Sequence, residues 1–215
     1  MTQASVLIFG EGKDYYDSQA IEYLIRALAP SSVRLKLTKL RSPVILDRGA
    51  ARRKRASVAD EIAAHDRVRR RIAPPGERVV VVAFHDCDAL EPAHIEQAAR
   101  LEQELVQAGV ERPVAATPAW CIEAWWMLFP EALATTRKCW KSFAVPANVG
   151  AVVQAKSALR RALRPQGHTR CPDYDERDSP TIARHVFERR LASDSRTNQS
   201  ASLQYFRDRL RAALV

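Results

Sequence analysis

The chain has 215 residues, 47% of them apolar, which suits one full-sized domain with a smaller appendage and excludes two large domains. Seven glycines and twelve prolines exclude collagen-like and disordered classes. No stretch nears the roughly 20 apolar residues that cross a bilayer, and the opening MTQASVLIFGEG lacks a signal peptide's basic flank and cleavage site, so a soluble cytoplasmic protein is expected. The formal charge of +9 is local: residues 34–78 carry fourteen Lys or Arg against five Asp or Glu, with the densest runs at Arg52-Arg53-Lys54-Arg55 and Arg69-Arg70-Arg71. Such clustering fits the phosphates of a nucleic acid, or else a solvated face or an acidic protein partner.

In chain order, residues 4–10 read as a short apolar strand ending at Gly10-Glu11-Gly12. A helix with Ile21, Leu24, Ile25 and Leu28 on one face follows. Residues 33–40 alternate apolar and basic side chains, the pattern of a half-exposed strand with Lys36 on its polar face. Residues 41–57 read as an Arg-rich loop, an insertion into the core, and Ser57 as the N-cap of a helix reaching about Ile72. The β-branched run at residues 78–84 is the strongest strand, buried on both faces as in a parallel sheet, and leads into His85-Asp86-Cys87-Asp88.

Residues 92–108 form a helix with Ile95, Ala98, Ala99, Leu101, Leu105 and Val106 as its apolar stripe, and residues 112–117 a further strand. Residues 120–129 are apolar apart from Glu123. Beyond them come expected helices at 149–163, 181–191 and 200–214, with a polar loop at 164–179. Alternating strands and helices predict an α/β fold with a mainly parallel sheet over residues 1–133 and a helical C-terminal extension over 134–215. The four cysteines, with no CxxC among them, read as buried thiols in a reducing compartment.

In parallel sheets, ligands sit beyond the carboxyl ends of the strands, where both Glu11 and the Asp86/Asp88 pair fall. Two carboxylates held close repel unless a cation intervenes, and Mg²⁺ or Mn²⁺ with oxygen ligands and substrate phosphate answers that need. If the strand extends that far, Asp86 and Asp88 project to the same side. Glu11 supplies a third oxygen or serves as base toward water, Lys13 offsets charge on a non-bridging oxygen, and Gly10 and Gly12 let the backbone approach a phosphate. Lys36, Arg52, Arg53, Lys54 and Arg55 are the candidate grip on the nucleic-acid backbone.

Strand, Glu11-Gly12-Lys13-Asp14, helix, then strand and Asp86-Cys87-Asp88 resembles the Toprim domain. It is closest to the small RloB-like and OLD-nuclease-related families of bacterial defence loci, whose apolar Glu-Ala/Leu-Trp segment is matched by Ile122-Glu123-Ala124-Trp125-Trp126. The resemblance implies a Toprim-like fold and a Mg²⁺- or Mn²⁺-dependent nuclease acting on DNA or RNA. It also implies a role as the effector of an anti-phage or mobile-element defence system, beside a separate ATPase subunit of the ABC/SMC type, with a homodimer left open. The alternative is a noncatalytic nucleic-acid- or ATPase-binding subunit with a vestigial site. Leu90 stands where a longer DxDxD would carry a third acid, and Glu123 is either catalytic or a structural acid paired with an arginine. No GxxxxGK[ST], GxSxG or HExxH occurs.

Overall fold

The computed structural model describes residues 2–10, 16–39, 52–164 and 170–215, with backbone alone for 52–57. Four parallel strands form one sheet in the order β2-β1-β3-β4: β1 (Thr2–Phe9), β2 (Val33–Lys39), β3 (Arg78–Phe84) and β4 (Pro113–Ala116). Between and after them run α1 (Tyr16–Leu28), α2 (Arg52–Ile72), α3 (Ala93–Gln107), α4 (Glu123–Trp126), α5 (Pro130–Thr136), α6 (Ala155–Leu163), α7 (Ser179–Glu188), α8 (Asp194–Thr197) and α9 (Ala201–Leu214). This is the α/β architecture expected from the sequence: a parallel sheet flanked by helices, with a helical C-terminal part.

The two faces of the sheet follow from the two-residue period of its strands. Ala4, Val6 and Ile8 of β1 and Val80, Val82 and Phe84 of β3 enter a large core shared with α1, α4, α7 and α9. Leu7, Phe9, Val81 and Ala83 face the other way, onto Ile62 and Ala63 of α2 and Leu105 of α3. Because β3 lies between β1 and β4 with a helix layer on each side, Val79 through Phe84 are all buried, which is why its composition is almost wholly β-branched or aromatic.

The C-terminal helices are built into this core. Ile182, Ala183 and Val186 of α7 and Leu203, Phe206, Leu210 and Leu214 of α9 share one apolar cluster with β1 and α1. Arg211 of α9 donates Nε to the Leu28 carbonyl at 3.0 Å, satisfying an acceptor at the end of α1. Around the β4 edge, Glu102 of α3 accepts the Ala115 N–H at 3.0 Å and pairs with Arg209 of α9 at 2.6 Å. The exposed row of backbone groups on that edge strand is thereby partly covered.

Several expected boundaries move. α2 begins at Arg52, so residues 52–57 are helical and Ser57 lies inside the helix rather than at its cap. Residues 149–163 split into a 3-10 turn (Val149–Ala151) and α6, with Gln154 between them in the left-handed region at φ 50°. On α3 the buried face is His94, Ala98, Glu102 and Leu105, while Ile95 and Val106 are exposed. The stripe is rotated because Glu102 is drawn inward by the β4 edge and Arg209. Cys139 and Cys171 are joined in a disulfide, which corrects the reading of all four cysteines as buried thiols; Cys87 and Cys121 are reduced and buried. No helix among the described residues is long and apolar enough to cross a membrane.

Candidate active site at the carboxyl rim of the sheet

β3 ends at Phe84, two residues short of Asp86, so simple strand alternation does not carry through to Asp88. The ladder nevertheless continues in its hydrogen bonds. His85 N–H donates to the Ala116 carbonyl at 3.0 Å, and Cys87 N–H to that of Pro118 at 3.1 Å. With His85 and Cys87 bonded toward the loop after β4, Asp86 keeps the alternation of Val80, Val82 and Phe84 and falls on the larger-core side. Asp88 follows at φ 48°, a left-handed conformation that Asp tolerates better than most residues, and its N–H is held by the Trp120 carbonyl at 2.9 Å. Trp120, itself at φ 61°, returns a bond from its N–H to the Ala89 carbonyl at 2.8 Å. The two loops are thus stitched together at the mouth of the sheet.

Past Asp88 the chain is anchored by Glu91. Its Oε1 accepts from the Ser202 N–H at 2.7 Å and the Ser200 hydroxyl at 3.0 Å, at the N-terminus of α9. Gly150 backs directly onto the Glu91 carboxyl, and any Cβ there would overlap it.

Glu123 opens α4 and is 2% exposed. The tryptophans that follow it explain how so short a helix is held. Trp125 stacks on Phe206 at 5.7 Å and donates Nε1 to Ser202 at 2.9 Å; Trp126 donates Nε1 to Ser179 at 3.0 Å. One indole is tied to α9 and the other to α7. Glu123 Oε1 accepts the Tyr174 hydroxyl at 3.0 Å, so a phenol stands where the structural alternative for this acid would place an arginine. Tyr174 is also 2.7 Å from Ser179 Oγ, completing a buried chain of hydrogen bonds from Glu123 to Trp126.

Burial pushes the Cys121 thiol well above the ordinary range, helped by charge and hydrogen bonding from Glu123 and, to a smaller extent, by the charge of Asp86. Burial and then the Glu123 charge likewise raise Tyr174 well above its usual value, keeping it a neutral donor. Lys156, in the first turn of α6, adds a cation. Burial pulls its ammonium down, but the hydrogen bond and charge of Glu176, followed by the charge of Glu123, leave it raised.

Lys156 and Tyr174 had no signal in the sequence: each lies in a segment without a motif and reaches the rim through tertiary packing. Glu11 and Lys13 lie outside the described residues, as does Gly12. Gly10 is described, and the group that approaches it is Ser18 of α1, whose Oγ would lie 2.6 Å from a Cβ at that position. The carboxyl ends of β1 and β3 are adjacent, with Phe9 and Ala83 as register partners.

Among the described residues no three His, Cys, Asp or Glu side chains are grouped to hold a metal ion. Asp86 and Asp88 offer carboxylate oxygens at the rim, the donor type of a hard divalent cation.

Of the candidate nucleic-acid contacts, Lys36 is exposed on β2 opposite Ser5, and the side chains of Arg52, Arg53, Lys54 and Arg55 lie outside the described residues. Part of the second basic run is already neutralised. Arg69 binds Glu77 and Ser5, and Arg70 binds Asp66 at 2.9 Å and also Glu111, fastening α2 to the sheet. No family model, curated protein or solved structure matches this chain, so the geometry of the rim carries the functional reading.

Proposed function

We propose that the chain is a metal-dependent nuclease of the Toprim type, hydrolysing phosphodiester bonds of DNA or RNA beside a separate ATPase in a bacterial defence system. The observation that carries this reading is the position of Asp86 and Asp88 just past β3 at the carboxyl rim of a parallel sheet, where Cys87 and Asp88 donate their N–H groups to the Pro118 and Trp120 carbonyls of the loop after β4. Rims of this kind are where α/β folds bind ligands.

Asp86 and Asp88, with Glu11, would hold Mg²⁺ or Mn²⁺. When bound, such an ion supplies Lewis-acid stabilisation of charge developing on the scissile phosphate. Hydrolysis adds water across one P–O bond. Glu11 takes the proton of the attacking water, the water oxygen joins phosphorus, and the leaving sugar oxygen departs to be protonated. Lys13 and Lys156 offset charge on the phosphate oxygens; Glu176 holds the Lys156 ammonium, and Tyr174 holds Glu123.

The test is a nuclease panel of plasmid, single-stranded DNA and transfer RNA, with and without Mn²⁺. Wild type is expected to cleave at least one substrate only with metal, and Asp88→Ala to lose about two to three orders of magnitude of that rate. Full cleavage by Asp88→Ala would remove the assigned role. Absence of both cleavage and Mn²⁺-dependent thermal stabilisation in wild type would leave the noncatalytic binding subunit instead.

A further inference from the structure

Outside residues 34–78 the sequence is balanced in charge, yet the folded chain collects a second group of cations. Lys138, Lys141, Arg161, Arg164 and Arg170 come from three separate segments, and all five are exposed. Three ties bring the segments together. The Cys139–Cys171 disulfide, with Cα atoms 6.0 Å apart, sets Lys138 beside Arg170. The Lys141 N–H donates to the Leu163 carbonyl at 2.9 Å, placing Lys141 against the end of α6 that carries Arg161 and Arg164. Trp140 Nε1 donates to the Pro172 carbonyl at 2.9 Å and closes the ring of contacts.

None of these five side chains is in an ion pair with another described residue, whereas most of the neighbouring acids are already engaged. Asp178 is held by Arg137, Glu176 by Lys156 and Asp175 by Arg177, so Asp173 is the acid that remains against five cations. Among the described residues the exposed large apolar side chains are Val68, Ile72, Ile95, Val106, Val153, Phe187 and Val215, none of them within the three cationic segments. A surface with repeated cations and no apolar centre is suited to backbone phosphates. Protein interfaces are depleted in lysine and built around apolar or aromatic anchors.

Its position adds direction. α6 starts at the rim with Lys156, and Arg164 follows eight residues later, about 12 Å along a helix rising 1.5 Å per residue. A nucleic-acid strand covers that span in roughly three to four nucleotides at about 3.4 Å each.

We infer that Lys138, Lys141, Arg161, Arg164 and Arg170 form a second nucleic-acid-binding surface, on which the C-terminal part grips the phosphate backbone of a strand leading away from the Asp86–Glu123 rim. The direction of that strand rests on the nuclease reading, and the affinity does not. The surface is separate from the basic segment at 34–78 and contributes sequence-independent affinity.

The experiment measures binding of fluorescent single-stranded DNA and RNA by anisotropy in EDTA, where cleavage is absent, between about 50 and 200 mM salt. The proteins are wild type, a variant with all five cations changed to Gln, and a variant with all five changed to Glu. The Gln variant is expected to bind about tenfold or more weakly, with a salt slope shallower by about three to four, near 0.7 for each lost single-strand phosphate contact. The Glu variant is expected to bind more weakly still. Melting temperatures of both surface variants close to wild type establish that binding, and not folding, has changed.

Unchanged affinity and salt slope in a folded Gln variant would overturn the inference, as would wild type failing to bind either strand. Loss of poly-glutamate binding with nucleic-acid binding intact would overturn it too, in favour of an acidic protein partner. The two readings separate cleanly. Weakened binding by the Gln variant of a wild type that never cleaves keeps the surface and removes the nuclease; metal-dependent cleavage with unaltered binding by the Gln variant does the reverse.

Discussion

Tyr174 illustrates how one side chain fixes another at the rim. Its hydroxyl donates to Glu123 and shares a hydrogen bond with Ser179, which accepts from Trp126, so four buried polar groups satisfy one another within the apolar core. A satisfied buried network of this kind orients its members narrowly, and a half-satisfied one is costly. Tyr174→Phe keeps the ring and removes only the oxygen, leaving Glu123 with an unmet buried acceptor at a cost of about 1–3 kcal/mol. For a chain of this size, that should lower Tm by about 2–4 °C per kcal/mol, measured by calorimetry. An unchanged Tm would mean that Glu123 is solvated in the variant and that the network does not hold it.

Between elements, the same economy is visible in the pair that joins α5 to α8. Arg196 grips Glu131 through both nitrogens, at 2.7 and 2.8 Å, and this hydrogen-bonded cation is the leading reason that the Glu131 carboxyl titrates below its ordinary value. A folded-state value below the unfolded one means that the pair stabilises the protein above about pH 4.5 and that this contribution is lost as pH falls through the folded value. Glu131→Gln is therefore expected to cost about 0.5–1 kcal/mol at neutral pH and nothing once the carboxyl is protonated. Denaturant titrations at the two extremes check this, and a pH-independent difference would contradict it. The elements themselves were largely legible: β3 from its β-branched run, β2 from its alternation, α1 and α9 from their helical spacing. Their ends were not, because the break at Gln154, the early start of α2 and the stop of β3 at Phe84 depend on tertiary partners that no local pattern records. The rim divides in the same way. Asp86, Asp88 and Glu123 stood out because each follows or interrupts an apolar run, whereas Lys156 and Tyr174 are ordinary residues of α6 and a loop until Glu176 and Glu123 give them their places.

At the scale of the whole molecule, the Cys139–Cys171 bond is the feature most at odds with a reducing compartment. Thiol titration of the unreduced, denatured protein should find two groups, Cys87 and Cys121, and four after reduction. Finding four without a reductant would place the chain in its dithiol form. With its ends separated by 32 positions in sequence, the crosslink is worth about 3.7 kcal/mol through the unfolded chain it restrains, so reduction should lower Tm by several degrees. The clamp on Glu91 bears on how the molecule comes into being. Ser202 lies 111 residues beyond the carboxylate it grips, and it also receives the Trp125 indole. Such distant partners meet late, since a long loop must close before they reward it. On a translating ribosome, the stretch carrying Asp86 and Asp88 emerges well before α9 can lock it. The loop after β3 would thus take up its folded place only once α9 has been made and docked, long after the strand that leads into it.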